Sequence, residues 1–574
     1  MMNLRERLRA TAPDPSKRRN RNSGWKFAAL VTAVPSLLWL GLIWRFGVPV
    51  LYADEWTLIP FILKLRAGTL NFHDFLVADG PHPMAVTRIF FALFFGSGPL
   101  DPRSVMLASW MLATVSAVIG ARYLIWPLVA DSTALPKRLA GIAFGLWALS
   151  LVQFESQLWG FEIGFILTMC CAILGAAVLS VEDLQIWIRL GALALIAGIG
   201  TLTSGQALML WPVFAAGILL SERRWPARTI GAALFIMGFG IAMWLCHLRD
   251  AGNLGLVQSF GWIFGRPHLA LVSFLALLGS PLAYVAGFGQ VELAPRLGVM
   301  ILAVYLFLVL LAVWSRNLRK SAPFVILGVY GLLYAVLVTL GRASGDYSDW
   351  FLTSRYTTSA LCLPLAILGL SLVQFGSVGG RARITSRVVL IGAIVLGLAN
   401  SIAVLPLAKE DSVMRSASMR LLNYRDLFDP DVDGMQTGPF YPLCPLNGNR
   451  ILDWGIAPAR NAGLLPPQRA VVTVGGVTGT WRREFVRSFT WYLTHRYRAE
   501  RLSGSLKPSE TFRPDLVLVR RVGDQRFSSF GLVDGDRWRI ILASPMAHKV
   551  RDPVEVFAFE TASGRLARVA ETGL

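Results

Sequence analysis

Cysteine and histidine are scarce in this chain, five and six among 574 residues. Cys170, Cys171, Cys246 and Cys362 lie in or beside apolar runs, and Cys444 stands by itself in the polar C-terminal part. No disulfide framework and no CxxC metal spacing follows from them. Charge is thin as well, at 16% of residues against about 25% in an ordinary soluble domain. The sequence contains no P-loop, HExxH, GxSxG or glycine fingerprint after a strand, so it carries none of the usual nucleotide-binding, zinc-hydrolase or serine-hydrolase signatures. It also lacks a repeat, a low-complexity tract and the matching halves of a conventional transporter.

Apolar residues are abundant, at 54% of the chain before its 53 glycines are counted. They fall in blocks of about 20, the length an α-helix needs to cross a bilayer. The expected fold class is mainly α, a polytopic membrane helix bundle. The net charge of +20 then reads as Lys and Arg that orient helices and meet anionic lipid headgroups, with no nucleic acid implied.

Residues 1–24 form a basic arm without a small-residue cleavage site, expected as a retained cytoplasmic tail. The positive-inside rule then threads 25–406 as the transmembrane domain. The first block delivers YADEW, residues 52–56, to the far face. The run Met84–Gly96 carries Arg88 and is too short to span, so it is expected as an interfacial helix. The apolar run Leu269–Val285 is read as peripheral or re-entrant, because a full crossing there would invert SRNLRK, 315–320, and the arginines of 381–387. That leaves about eleven spans. An odd number puts 407–574 outside as a periplasmic C-terminal domain. It reads as small and β-rich, with a hairpin at Asp534-Gly535 and strand alternation in 552–569.

Under this threading the polar residues gather at the external face. Carboxylates near membrane depth are costly unless paired or facing a wet cavity. Asp54 and Glu55 stand just beyond a helix end, where one can serve as a general base; equally, one solvates the helix end and the other pairs with Arg45 or Arg88. Glu155 and Glu162, seven apart, share a face if their helix is continuous. The loop 341–356 adds Asp346, Asp349, Arg355 and Tyr356. An arginine opening a membrane helix can clamp phosphate oxygens bidentately, although interfacial arginines commonly just snorkel. Trp56, Trp159 and Trp350 are candidates to stack on a sugar ring or, more simply, to anchor the interface.

Three stretches carry a family resemblance: YADEW at 52–56, PHPMAVTRIFFALFFGSG at 81–98 and SLVQFESQLWGFEIGF at 150–165, together with SRY at 354–356. In this layout the chain resembles the GT-C superfamily of integral membrane glycosyltransferases, in the branch of protein O-mannosyltransferases and lipid A aminoarabinose transferases. It departs from that pattern at PHPM, where a second adjacent proline is expected. The resemblance implies a polyprenyl-phosphate-linked sugar as donor, inverting transfer, and an envelope glycan, lipid or protein as acceptor, in a bacterial inner membrane. By position it makes Asp54 the base with Glu55 beside it, and places the donor phosphate at Arg355 and Tyr356 with Arg88 and His82 assisting. Glu155, Trp159, Glu162, Asp346 and Asp349 then contact substrate. No cofactor is implied, since a divalent metal is not required where arginine carries the phosphate charge. The alternative is a non-catalytic carrier, assembly or transport protein for polyprenyl-linked glycans, or a polymerase using a diphosphate lipid.

Overall fold

The computed structural model describes residues 15–427, apart from 80–81, 131, 223, 250–254, 287–292, 343–353 and 376–380. Beyond these it describes 455–465 without 457, and 471–571 without 475–476, 487–496, 508–510, 528 and 546–553. Among the described residues nine helices are long and apolar enough to cross a membrane: Asn22–Phe46, Arg103–Val129, Ala134–Gln157, Gly160–Ser180, Trp225–Trp244, Leu293–Trp314, Leu318–Gly341, Ser354–Phe375 and Arg387–Tyr424. Shorter apolar helices cover Ala85–Phe95, Ile186–Thr201, Gly205–Ser221 and Pro267–Ala283. The chain is therefore a multi-pass membrane protein, as its composition demands.

The bundle has two chemically different ends. At one, the Arg122 guanidinium lies over the rings of Tyr123 and Trp25, and Lys137 over Trp126. Arg189 pairs with Glu222 at 3.2 Å, and Arg319 donates to the Ser221 carbonyl at 2.9 Å. Ser315 donates to Gln374 at 2.8 Å on the same side. At the other end the first loop, 150–162 and 354–357 come together.

Pro267–Ala283, expected as peripheral or re-entrant, runs antiparallel along Leu293–Trp314. Two glycines set how closely they approach: a Cβ on Gly279 would stand 1.9 Å from the Ala294 carbonyl oxygen, and one on Gly298 1.9 Å from that of Leu275. Its far end is tied to the last apolar helix, where Asn400 Oδ1 accepts the Val285 N–H at 3.1 Å. Residues 155–162 differ from the continuous helix that would align Glu155 with Glu162. The chain breaks into Phe154–Gln157 and a 3-10 turn at Gly160–Glu162, with the helix Ile163–Ser180 following.

The sequence boundary at 407 falls inside a helix. Leu405–Leu421 follows Arg381–Ala403 through Val404, with helical bonds carried across the junction. The β-rich expectation for the C-terminal part holds. The hairpin expected at Asp534-Gly535 forms, Ser529–Asp534 with Arg537–Pro545, and the alternating stretch beyond it makes a second, Val554–Glu560 with Arg565–Glu571. Gly535 and Gly564 supply the left-handed turn residues, at φ 63° and 72°. Ladder pairings connect the strands into a barrel-like sheet, because Arg565–Glu571 pairs both with Val554–Glu560 and with Val477–Val486. Strand alternation divides the apolar residues between two cores. Val517, Val519, Trp538, Ile540, Val556 and Ala558 pack inside the barrel. Their neighbours Leu516, Leu518, Phe557 and Phe559 join a separate core with Leu421, Tyr424, Trp56, Ile59 and Phe91. The barrel's second face thus docks on the segment around Leu421 and Tyr424, within an apolar core that also holds first-loop residues.

Candidate functional site

The first loop begins with Tyr52 in extended backbone and turns sharply at Ala53, which holds φ 45°. A non-glycine residue there costs about 1–3 kcal/mol and persists only where its surroundings enforce it. Glu55 does the enforcing. One carboxylate oxygen accepts the Tyr52 N–H at 2.7 Å and the other the Phe161 N–H at 3.0 Å, so a single side chain clips the loop to residues 160–161. Gly160 is required beside it, since a Cβ would lie 2.8 Å from Glu55 Oε1. Burial pushes the Glu55 carboxyl up to about 8, against the opposing pull of the Tyr52, Phe161 and Gly160 amides. Asp54, next to it, is only partly buried. The two candidates therefore divide: Glu55 is a clip with both oxygens engaged, and Asp54 is the more accessible carboxylate.

Arg355 opens the helix Ser354–Phe375. Its backbone N–H donates to Glu155 Oε2 at 3.1 Å, a carboxylate at a helix N-terminus. Ser354 Oγ donates to the Val152 carbonyl at 2.6 Å and accepts the Glu155 N–H at 3.2 Å, which locks the two segments together. The Arg355 guanidinium is buried over Trp159, 5.4 Å from its ring, and over Tyr356 at 5.2 Å. Glu155 and Glu162 both act on its charge. The broken helix therefore does not set the two carboxylates on one continuous helical face; Glu155 is bonded to the Arg355 backbone, and both lie near enough to act on the guanidinium's charge.

Sequence reasoning missed a second arginine. Arg415, on Leu405–Leu421, lies over the Tyr52 ring with its central carbon 3.5 Å from the centroid. It donates to the Leu158 carbonyl at 2.8 Å and pairs with Asp411 one turn earlier, also at 2.8 Å. Tyr52 packs edge-on to Trp159 at 4.7 Å, so the order Arg415, Tyr52, Trp159, Arg355 forms one buried stack. Burial also pushes the Tyr52 phenol well up. The only advance signal was the Asp411/Arg415 spacing, which on a polar helix reads as an ordinary surface pair.

The remaining candidates lie elsewhere. Arg88 donates to the Asp74 carbonyl and stands over Phe61, within the first loop. His82 contributes backbone pairing with Asp79; its side chain, like Asp346, Asp349 and Trp350, lies outside the described residues. Trp56 and Trp159 are buried, both in the apolar core that the barrel's second face joins. Among the described residues no group of three or more His, Cys, Asp or Glu is placed to hold a metal ion. No protein-family model, curated protein or solved structure matches the chain, so a role must come from the chemistry of these side chains.

Proposed function

We propose that the protein is a GT-C-like membrane glycosyltransferase that moves a sugar from a polyprenyl-phosphate donor to an envelope acceptor at the end of the bundle where the first loop, 150–162 and 354–357 meet. The observation that carries this reading is the meeting of the acidic first loop with the buried Arg355 around Tyr52 and Trp159. Inverting transfer needs a base on one side of the sugar and charge stabilisation of the leaving phosphate on the other. The acceptor hydroxyl attacks the anomeric carbon and its proton passes to the Asp54 carboxylate. The bond from that carbon to the phosphate oxygen breaks, and its electron pair leaves on the phosphate beside Arg355. Glu55 holds the loop that carries the base, and Arg415 holds Tyr52. The lipid tail of the donor lies along the apolar helices, which accounts for the enzyme being embedded.

The orientation in this reading follows from charge. The end bearing Arg122, Lys137, Arg189 and Arg319 is cytoplasmic in a bacterial inner membrane, and the reacting end with the barrel is periplasmic. About eleven spans result when Ile186–Thr201 and Gly205–Ser221 join the nine longer helices.

The test is sugar transfer in proteoliposomes together with native mass spectrometry of donor binding. Asp54→Asn is expected to abolish transfer while donor binding and helical content persist, and Arg355→Ala to lose donor binding. A fully active Asp54→Asn sinks the base assignment. Donor binding without transfer in every acceptor mixture would favour the carrier alternative.

A further inference from the structure

At the end of the bundle away from Arg355, Asn22–Phe46 and Ala134–Gln157 begin and Arg103–Val129 finishes. Gly24 is where they meet. A Cβ there would stand 2.8 Å from Arg122 Nε and 3.0 Å from Trp126 Cδ1, so both side chains reach the same spot on the first helix. The Arg122 guanidinium lies over the Tyr123 ring at 5.0 Å and the Trp25 ring at 5.9 Å. Lys137 Nζ is 5.4 Å from the centre of the Trp126 ring. Two cations are thus set on one aromatic patch, each held by the negative face of a ring. Trp25 is 38% exposed, and Arg122, Trp126 and Lys137 are half-buried, so the patch is open to the surroundings of the bundle. Arg122 also sits in a single π-helical turn, Ala121–Ile125, a distortion frequent at functional sites.

What the two cations lack is an anion. Among the described residues no carboxylate pairs with either side chain, and Arg122 Nε is buried without a hydrogen bond. Other basic side chains at this end are served by the protein itself: Arg189 by Glu222, and Arg319 by the Ser221 carbonyl. An arginine or lysine that only marks orientation snorkels with its head free in water. These two heads are instead fixed against rings, which lowers the entropy cost of meeting a ligand. Their position selects that ligand. The ends of bilayer-length helices lie at the depth of lipid phosphates, and basic pockets between such ends bind anionic headgroups. Leu30 and Leu135, on two of the same helices, are 72% and 55% exposed. They offer an acyl chain apolar surface that a soluble anion cannot use.

We propose that Arg122 and Lys137, set on Trp25, Tyr123 and Trp126, hold the phosphate of one anionic phospholipid, which ties the three helices together. The site lies at the opposite end from Arg355 and stands whether or not sugar transfer occurs there.

Native mass spectrometry of the full chain, delipidated in a neutral detergent, compares phosphatidylglycerol with phosphatidylcholine. Wild type is expected to hold one phosphatidylglycerol about thirtyfold more tightly than phosphatidylcholine. Lys137→Gln is expected to lose about fivefold of that preference, and the Arg122→Gln/Lys137→Gln double variant nearly all of it. Lys320→Gln removes one exposed charge next to Arg319 and is expected to leave the preference unchanged. Melting without lipid reports folding, and Lys137→Gln alone decides the matter if the double variant does not fold. No preference in wild type, an equal loss in Lys320→Gln, or an undiminished preference in folded Lys137→Gln overturns the site. Glycerol 3-phosphate forms a separate arm, read by thermal shift. Stabilisation equal to that given by phosphatidylglycerol overturns the lipid as occupant.

Discussion

The guanidinium of Arg415 lies over the ring of Tyr52, 3.5 Å from its centroid, joining the helix that leads into the barrel to the first loop of the membrane domain. The same arginine pairs with Asp411 and donates to the Leu158 carbonyl. Removing one member of a buried ion pair leaves the other charge stranded and costs about 3–5 kcal/mol. Asp411 is 26% exposed, so Arg415→Ala is expected near the lower end, about 3 kcal/mol. The double variant Arg415→Met/Asp411→Leu strands no charge and is expected to recover more than half of that loss. Thermal melting in detergent compares them; equal losses would mean that packing on Tyr52, not the charge pair, holds the helix.

Glu55 gives the fold a pH dependence of known sign. Its carboxyl is raised from 4.5 to about 8 by burial. The folded state therefore binds this proton more tightly than the unfolded chain. The associated stability is complete below about 4.5 and is lost as pH climbs through about 8. Wild type is expected to melt at falling temperature between these limits. Glu55→Gln, which has nothing to ionise, is expected to start lower, because one of the Tyr52 and Phe161 amides loses its acceptor, and to show a shallower slope. Parallel slopes would place the titration elsewhere.

Much of this was legible in the sequence, and the rest was not for identifiable reasons. Bilayer-length apolar blocks announce spanning helices through length alone. Asp534-Gly535 announces its hairpin because a tight turn needs a residue tolerant of positive φ. Arg355, Glu155 and Glu162 stand out as charges at helix ends in an apolar chain. Arg415 and Asp411 do not, because LPLAKEDSVMRSASMRL has the composition of a surface helix and Arg415 is covered by Tyr52 and Leu158, both more than 200 residues away in sequence. The Glu55 clip was hidden for the same reason: its second oxygen is bonded to Phe161, 106 residues away. The boundary drawn at 407 falls inside a helix because the polarity of the chain changes there while its backbone runs on unbroken.

Gly279 and Gly298 illustrate a packing relation that one strand of sequence cannot reveal. Each would drive a Cβ into a carbonyl oxygen of the facing helix. Gly298→Ala or Gly279→Ala is expected to destabilise by at least about 2 kcal/mol, since backbone, unlike a side-chain tip, cannot yield cheaply. Gly392→Ala is the control: nothing lies within 4 Å of its Cβ position, and relief of glycine's helix penalty is expected to leave it neutral or stabilised by about 0.5–1 kcal/mol. Melting of the three variants in one detergent settles the comparison, and a neutral Gly279→Ala would mean the hairpin is looser than described.

Barrel docking is the last relation to test. Asp515 accepts the Thr561 N–H at 2.8 Å and its hydroxyl at 2.6 Å, and pairs with Arg420 at 2.8 Å. Tyr424, in the 3-10 segment Leu422–Leu427 just beyond that helix, donates to the Thr561 carbonyl at 2.8 Å. The barrel is therefore fastened to Leu405–Leu421 one turn beyond Arg415. Because Arg415 in turn covers Tyr52, loosening the barrel is expected to reach the first loop. Asp515→Ala removes the acceptor shared by Thr561 and Arg420 while leaving every residue of the buried stack in place. Hydrogen exchange is expected to quicken in 415–427 and in 52–58, with the membrane helices unchanged. Faster exchange confined to 555–565 would break the chain of contacts at the helix, and the barrel would then be a passive cover over the site.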